Sequence, residues 1–289
     1  MMWLDVGHYM FMGFDMMSFL LLVACSEYDI NRTIEKNNQG DDTASTILEQ
    51  EEEIPVAEPS EEDTGFEEPI DEIPSATEVM YLHTSNLLYS FDEDGNIDTI
   101  GQFYIQDDFA PSITDLAIDL SGKMYAISNS GLYQVDPNDA RLEFVCSMDQ
   151  YLVGLTFLAD GRLLAAGDSI LWIDPNSCAR AVFVEEEYYQ TSGDIVGLPD
   201  GNLYWTVRGD GGGDELVRVN GITGETEFIG VIGSINLWGI AYFNEVLYGF
   251  SSAGTIVHID PNTAYAFQEE QTQGQYWWGA ASNPVHWDR

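Results

Sequence analysis

Leu152–Pro175 reads LVGLTFLADGRLLAAGDSILWIDP, three apolar runs separated by turn signals. Leu152 to Leu158 is almost wholly apolar, the pattern of an inner strand covered on both faces, with Gly154 allowing close approach where strands crowd. Ala159-Asp160-Gly161 then turns the chain, because Asp-Gly between two apolar runs is a strong hairpin signal. Arg162 to Ala166 is predicted as the second strand. Gly167-Asp168-Ser169 turns again into Ile170 to Ile173, and Asp174-Pro175 ends that strand since proline cannot donate to a ladder. Arg180 to Val184 makes a fourth strand.

The same four-strand frame recurs at intervals of about 40 residues. It fits Ile113 to Ser147, where Gly122 and Asp136-Pro137 stand in the places of Gly161 and Asp174-Pro175. It fits Asp194 to Gly230, with Pro199-Asp200-Gly201, Leu203-Tyr204 and Asn220-Gly221, and Trp238 to Gln268, with Leu247-Tyr248 and Asp260-Pro261 but one turn residue fewer. Val79 to Phe103 supplies a second, third and fourth strand without a first. Tyr276 to Ala281 (YWWGAA) reads like the first strand LWGIAY of the preceding copy, so the tail can complete the N-terminal sheet and close a ring. The prediction is all-β: a five-bladed β-propeller of four-stranded blades with terminal-strand closure, which removes open sheet edges. From Val79 to Trp287 the chain resembles β-propellers broadly, and bacterial repeats of the LYxIDPxTG kind in particular. That resemblance implies a fold and leaves function open.

Fifty Asp and Glu against nine Lys and Arg give a formal net charge of −41, which repels nucleic-acid phosphates and anionic membranes. Nucleic-acid binding, which needs a basic footprint, is therefore not expected. Residues 1–24 read as a signal peptide. Leu22-Val23-Ala24-Cys25 resembles a bacterial lipobox, which implies cleavage before Cys25 and acylation of that residue. The segment departs from the pattern in having Asp5 and Asp15 and no Lys or Arg ahead of the apolar run; a start at Met16 or Met17 would remove only the acids. Ser26 after the cysteine resembles the signal that sorts lipoproteins to the outer membrane. Residues 25–78, rich in Glu, Asp, Pro, Ser and Thr, are expected to form a disordered acidic tether ahead of a propeller spanning 79–289.

Turns before the first strands and turns joining second to third strands should open on one face of the propeller. They offer the aromatic residues Tyr151, Trp238, Tyr276, Trp277 and Trp278, and the polar residues His83, Ser85, Asn86, Asn129, Asp168, Arg208, Asp210, Asp214 and Ser251. Aromatic platforms beside small polar groups suit a glycan or peptide; packing between blades is the alternative for each ring. Asp115 and Asp194 occupy equivalent first-strand positions where other blades have Gly. They loosely resemble the channel carboxylates of five-bladed glycosidases, or else accept hydrogen bonds from backbone N–H groups at the channel rim. Asp92, Asp94 and Asp98 resemble the calcium loop of integrin-type propellers, with Ser90 where the first Asp should stand; a solvated hairpin is the alternative. Arg208-Gly209-Asp210 spells RGD, too short a match to carry weight. Cys146 and Cys178 fall on adjacent blades of an exported domain, where a disulfide is one reading and two separate thiols the other.

Together these features point to an outer-membrane or surface lipoprotein whose tether presents a non-catalytic, monomeric binding propeller to a glycan or an envelope protein. No cofactor is expected beyond Ca²⁺. A hydrolase using Asp115 and Asp194, or a Ca²⁺-stabilised adhesion module, are the alternatives.

Overall fold

The computed structural model describes residues 72–106, 108–185, 188–211, 213–233, 236–272 and 274–287. The chain divides into two units, Met1–Gly65 and Phe66–Arg289, and the described residues belong to the second. The predicted signal peptide, Cys25 and nearly all of the expected tether lie outside the described residues.

Residues from Met80 build the first blade with β1 (Met80–His83), β2 (Leu87–Phe91) and β3 (Ile97–Gln102), followed by a short hairpin, β4 (Tyr104–Ile105) and β5 (Asp108–Phe109). The second blade is β6 (Ile113–Ile118), β7 (Met124–Ser128), β8 (Gly131–Val135) and β9 (Leu142–Ser147). The third is β10 (Gly154–Phe157), β11 (Leu163–Ala166), β12 (Ile170–Ile173) and β13 (Arg180–Val184). The fourth is β14 (Thr191–Gly197), β15 (Asn202–Arg208), β16 (Asp214–Asn220) and β17 (Thr226–Val231). The fifth is β18 (Leu237–Phe243), β19 (Val246–Ser251), β20 (Thr255–Ile259) and β21 (Ala266–Gln271). The last strand, β22 (Gly279–Ser282), returns to the first blade and pairs antiparallel with β1, Met80 opposite Ser282 and His83 opposite Gly279. The ring of five four-stranded blades closes as predicted.

Burial explains the radial order. Strands β6, β10 and β22, nearest the axis, are buried at every position, whereas the outer β9 exposes Glu143, Phe144 and Ser147. The apolar core is divided into five clusters, each pressed between consecutive blades. Tyr81, Leu88 and Ala281 of the first blade meet Leu116, Met124 and Val135 of the second, and the last cluster sets Phe250 and Ile256 of the fifth blade against Tyr89 and Trp277 of the first. Each fully buried side chain of this size contributes roughly 1.5–3 kcal/mol, so closure is held by packing as well as by the β1–β22 ladder. Ala76 is buried in the first cluster, and its N–H donates to Gly122 O at 2.7 Å. The propeller therefore takes up the chain ahead of Val79.

Turn chemistry repeats with the blades. Gly122, Gly161 and Gly201 all have φ between +84° and +86° at the first hairpin, while the fifth blade, one residue shorter, uses Asn244 and Glu245 at φ +50° and +65°, the two-residue turn whose central positions both need positive φ. Between third and fourth strands, Asp136, Asp174, Asn220 and Asp260 each accept a hydrogen bond from the backbone N–H two residues on, at 2.9 Å. Cys146 on β9 is joined to Cys178, in the turn between β12 and β13 of the next blade, with an S–S distance of 1.98 Å and Cα atoms 5.8 Å apart. Constraining a loop of this length in the unfolded chain is worth about 3–4 kcal/mol.

Candidate functional site

Each inner strand presents one backbone N–H to the propeller axis at the same level: Leu116 from β6, Leu155 from β10, Ile195 from β14, Ile240 from β18 and Ala280 from β22. Buried N–H groups without acceptors are costly, and no further strand is available to pair these edges. Two carboxyl groups meet the demand. Asp115 accepts from Leu155 N–H and Leu116 N–H. Asp194 accepts from Ile195 N–H at 2.6 Å, from Ile240 N–H at 2.9 Å and from Ala280 N–H. The residue before the axial N–H is therefore Asp in two blades and Gly154, Gly239 or Gly279 in the others. A Cβ on Gly279 would stand 2.2 Å from His83 Nε2 and 2.3 Å from Asp115 Oδ1, so the His83 ring and the Asp115 carboxyl fill the space that glycine leaves.

Both carboxyls are fully buried and close enough to feel each other's charge, which favours a proton on one of them. Burial, reinforced by the charge of Asp194, pushes Asp115 well above the usual carboxylate range. Burial also raises Asp194, to about 7, against the opposing pull of the Asp115 and backbone hydrogen bonds. Beside them, His83 has its Nδ1 2.8 Å from Thr84 O; since a carbonyl only accepts, Nδ1 carries the proton. Burial lowers the His83 pKa to about 4, and the neutral ring turns its bare Nε2 toward Asp115 Oδ1 at 3.6 Å. This group is a packed floor. Asp115 and Asp194 are buried, which corrects their reading as carboxylates open to a substrate, and they accept from backbone N–H groups as the other reading expects.

One residue above the floor the inner strands open into a cavity of about 560 Å³, rimmed by Thr114, Val153, Gly193, Trp238 and Trp278, the positions immediately before the axial Asp or Gly. Tyr151, Asp168, Arg208 and the segment from Tyr189 to Ser192 complete its wall. The structure thus gathers Tyr151, Trp238, Trp278, Asp168 and Arg208 in one funnel. Trp238 and Trp278 meet edge to face, ring centroids 5.7 Å apart, and Trp238 remains 37% exposed and Tyr151 68%. Below the floor, the axis narrows to a gap of about 10 Å³ lined partly by Pro284 and Trp287, in and just after the 3₁₀ turn Pro284–His286.

Other predicted site residues lie elsewhere. Trp277 is wholly buried, packed edge to face against Tyr89 and Phe250, because its neighbour Trp278 takes the funnel and successive residues point to opposite sides. It belongs to the core. His83 is also an axial residue instead of a loop residue. Asp214 and Ser251 are buried caps: Asp214 accepts from Leu237 N–H at 2.8 Å, and Ser251 Oγ accepts from the N–H of Thr255 at 3.0 Å. Tyr276, Asn86, Asn129 and Asp210 are exposed but do not line the funnel, nor does Ser85. Asp92 is the cap of its own turn, accepting from Asp94 N–H, Asn96 N–H and Asn96 Nδ2, which hold its carboxyl below the usual range, the Asn96 side chain most of all. Asp92, Asp94 and Asp98 do not form a ligand set: among the described residues no group of three acidic, His or Cys side chains is placed to hold a metal ion.

Sequence reasoning missed Thr114, Val153 and the Tyr189–Gly193 wall. Their signal was available in the register, since aligning each inner strand on its axial Gly or Asp puts Thr114, Val153, Gly193, Trp238 and Trp278 at one position.

No family model and no curated protein matches this chain. Solved structures do. A chain from the crystal structure of a nidogen/laminin complex superposes with a TM-score of 0.52 at 11% identity, over 72% of this chain and 98% of that one. That likeness shows the fold. A gluconolactonase from Xanthomonas campestris aligns with a TM-score of 0.47 at 14% identity, over 66% of this chain and 70% of its own.

Proposed function

We propose that this protein is an acylated envelope lipoprotein whose propeller is a non-catalytic binding module, with the funnel around Trp238 and Trp278 as its site and a glycan or a protein partner as its ligand. One observation carries the reading: the exposed Trp238 and Tyr151 and the half-buried Trp278 surround a cavity of ligand size, while the acid pair that could serve hydrolysis is sealed beneath it and committed to backbone N–H groups. Indole faces bury the flat apolar side of a sugar or peptide plane, and the neighbouring Gln190 supplies an amide partner. The anchor rests on Leu22-Val23-Ala24-Cys25, and the acidic stretch after it supports a tether that holds the propeller away from a membrane surface.

A thermal-shift screen of the full chain against glycans and peptidoglycan fragments tests the site. A ligand at about 100 times its Kd should raise the melting temperature by about 5–10 °C. That shift should vanish in Trp238→Ala/Trp278→Ala; a shift that survives the double substitution would move the site elsewhere. Cys25→Ser should release the protein from the membrane fraction if the anchor is as proposed.

A further inference from the structure

We infer that the funnel's ligand is an acidic oligosaccharide, one sugar of which places a carboxylate on Arg208. This rests on the funnel being the binding site, and it specifies the chemical class bound there.

Charge singles out this arginine. In a chain of 50 acids and nine bases, an arginine has carboxylates to choose from, and the other described arginines take them. Arg141 pairs with Glu143, Arg162 with Asp160 at 2.7 Å, Arg180 with Asp149 at 2.8 Å, and Arg218 with Glu227. Among the described arginines, Arg208 alone makes no ion pair, although it lines the cavity together with Asp168. Asp214 is close enough to feel its charge, yet that carboxyl is buried and engaged by Leu237 N–H. The backbone holds Arg208 in place, its N–H donating to Gln190 O at 2.9 Å across the cavity wall. A guanidinium is a planar fork of donors matched to a carboxylate, and one left open at an aromatic site has its acceptor still to come.

The remaining wall selects a sugar as the carrier of that acid. Trp238 and Trp278 at 5.7 Å and 77° present one ring face at right angles to the other, a platform for the apolar face of a pyranose. Gln190, on the same wall, offers an amide to the sugar's hydroxyls. Arg208 is the one cationic residue among the described residues of the cavity lining, so it fixes where the acid of a bound sugar sits.

Calorimetric titration of the full-length protein with oligogalacturonides, with a muramic-acid-containing disaccharide, and with the methyl ester of each tests this. The expected result is binding of one acidic series about tenfold or more tighter than its ester, the worth of a charge-assisted hydrogen bond. Arg208→Gln should erase that preference, bringing the acid to the affinity of the ester with an unchanged melting temperature. Equal affinity for acid and ester, lost in Trp238→Ala but unmoved by Arg208→Gln, would overturn the acidic ligand while leaving the site. No binding of any series, with no change in Trp238→Ala, would overturn both.

Discussion

The two ends of the propeller axis are built from the same five strands and differ completely. Above the axial carboxyls the strands diverge around Trp238, Trp278 and Tyr151 and leave about 560 Å³ open; below them Pro284 and Trp287 leave about 10 Å³. The step between the two regimes is a single residue, from Trp278 to Gly279 or from Thr114 to Asp115. Asymmetry of this kind separates what the fold needs from what a ligand meets. The floor satisfies edge-strand N–H groups and fixes the ring, and the funnel above it is free to carry aromatic and charged side chains with no part in closure.

Substitutions should divide along the same line. The largest effect is expected at Gly279→Ala, whose Cβ meets His83 and Asp115 at 2.2 and 2.3 Å inside a packed floor; loss of cooperative unfolding, followed by near-ultraviolet circular dichroism, is the predicted outcome. Normal folding of that variant would mean the axis is looser than its packing indicates.

Next comes Asp194→Ala, which strips acceptors from the N–H groups of Ile195, Ile240 and Ala280. At roughly 1–3 kcal/mol for each buried group left unpaired, it should cost several kcal/mol in urea denaturation, and Asp194→Asn should recover only part of that, because one amide oxygen replaces two oxygens that accept from Ile195 N–H and Ile240 N–H. The same pair sets a pH dependence. A carboxyl raised in the folded state contributes stability that is complete below its unfolded value of 3.8 and is lost as pH rises through the folded value of about 7. For Asp115, raised well above the usual range, the loss continues beyond. His83, lowered to about 4, adds nothing above its unfolded value of 6.5, and surface carboxylates are already ionised there. The melting temperature should therefore fall as pH rises from about 6.5 through about 7 and beyond, and Asp115→Asn/Asp194→Asn should flatten that slope.

Smaller still is removal of the lower seal. Asn283 Nδ2 donates to Ala76 O at 3.2 Å and to Glu78 O at 2.9 Å, and His286 Nε2 stands 2.8 Å from Thr77 O, so the tail clips the strand that enters the first blade. Truncation after Ser282 should cost about 2–3 kcal/mol, one lost hydrogen bond at a time, while leaving ligand affinity at the funnel unchanged.

Much of this was legible in the sequence. Period, turn residues and the YWWGAA tail gave blade number, strand order and ring closure, because each blade's apolar strands and Asp-Gly or Asp-Pro turns speak locally. The funnel was half legible. Loop position identified Trp238, Trp278, Tyr151, Asp168 and Arg208, yet Trp277 looked equally exposed, since one of two adjacent tryptophans must face inward and only the register against Leu237 tells which. The axial carboxyls were noticed for the right reason, an Asp where other blades have Gly, but their task depends on five N–H groups from five separate strands. No single repeat contains that information.

Ligand-induced stabilisation, compared between Trp238→Ala/Trp278→Ala and Asp115→Asn/Asp194→Asn, tests the division of labour most directly. A glycan that shifts the melting temperature of the native protein should still shift the double Asn variant, from a different starting temperature, and leave the double Ala variant unmoved. A shift lost with the carboxyls and kept without the indoles, or turnover of the glycan that depends on Asp115 and Asp194, would contradict it.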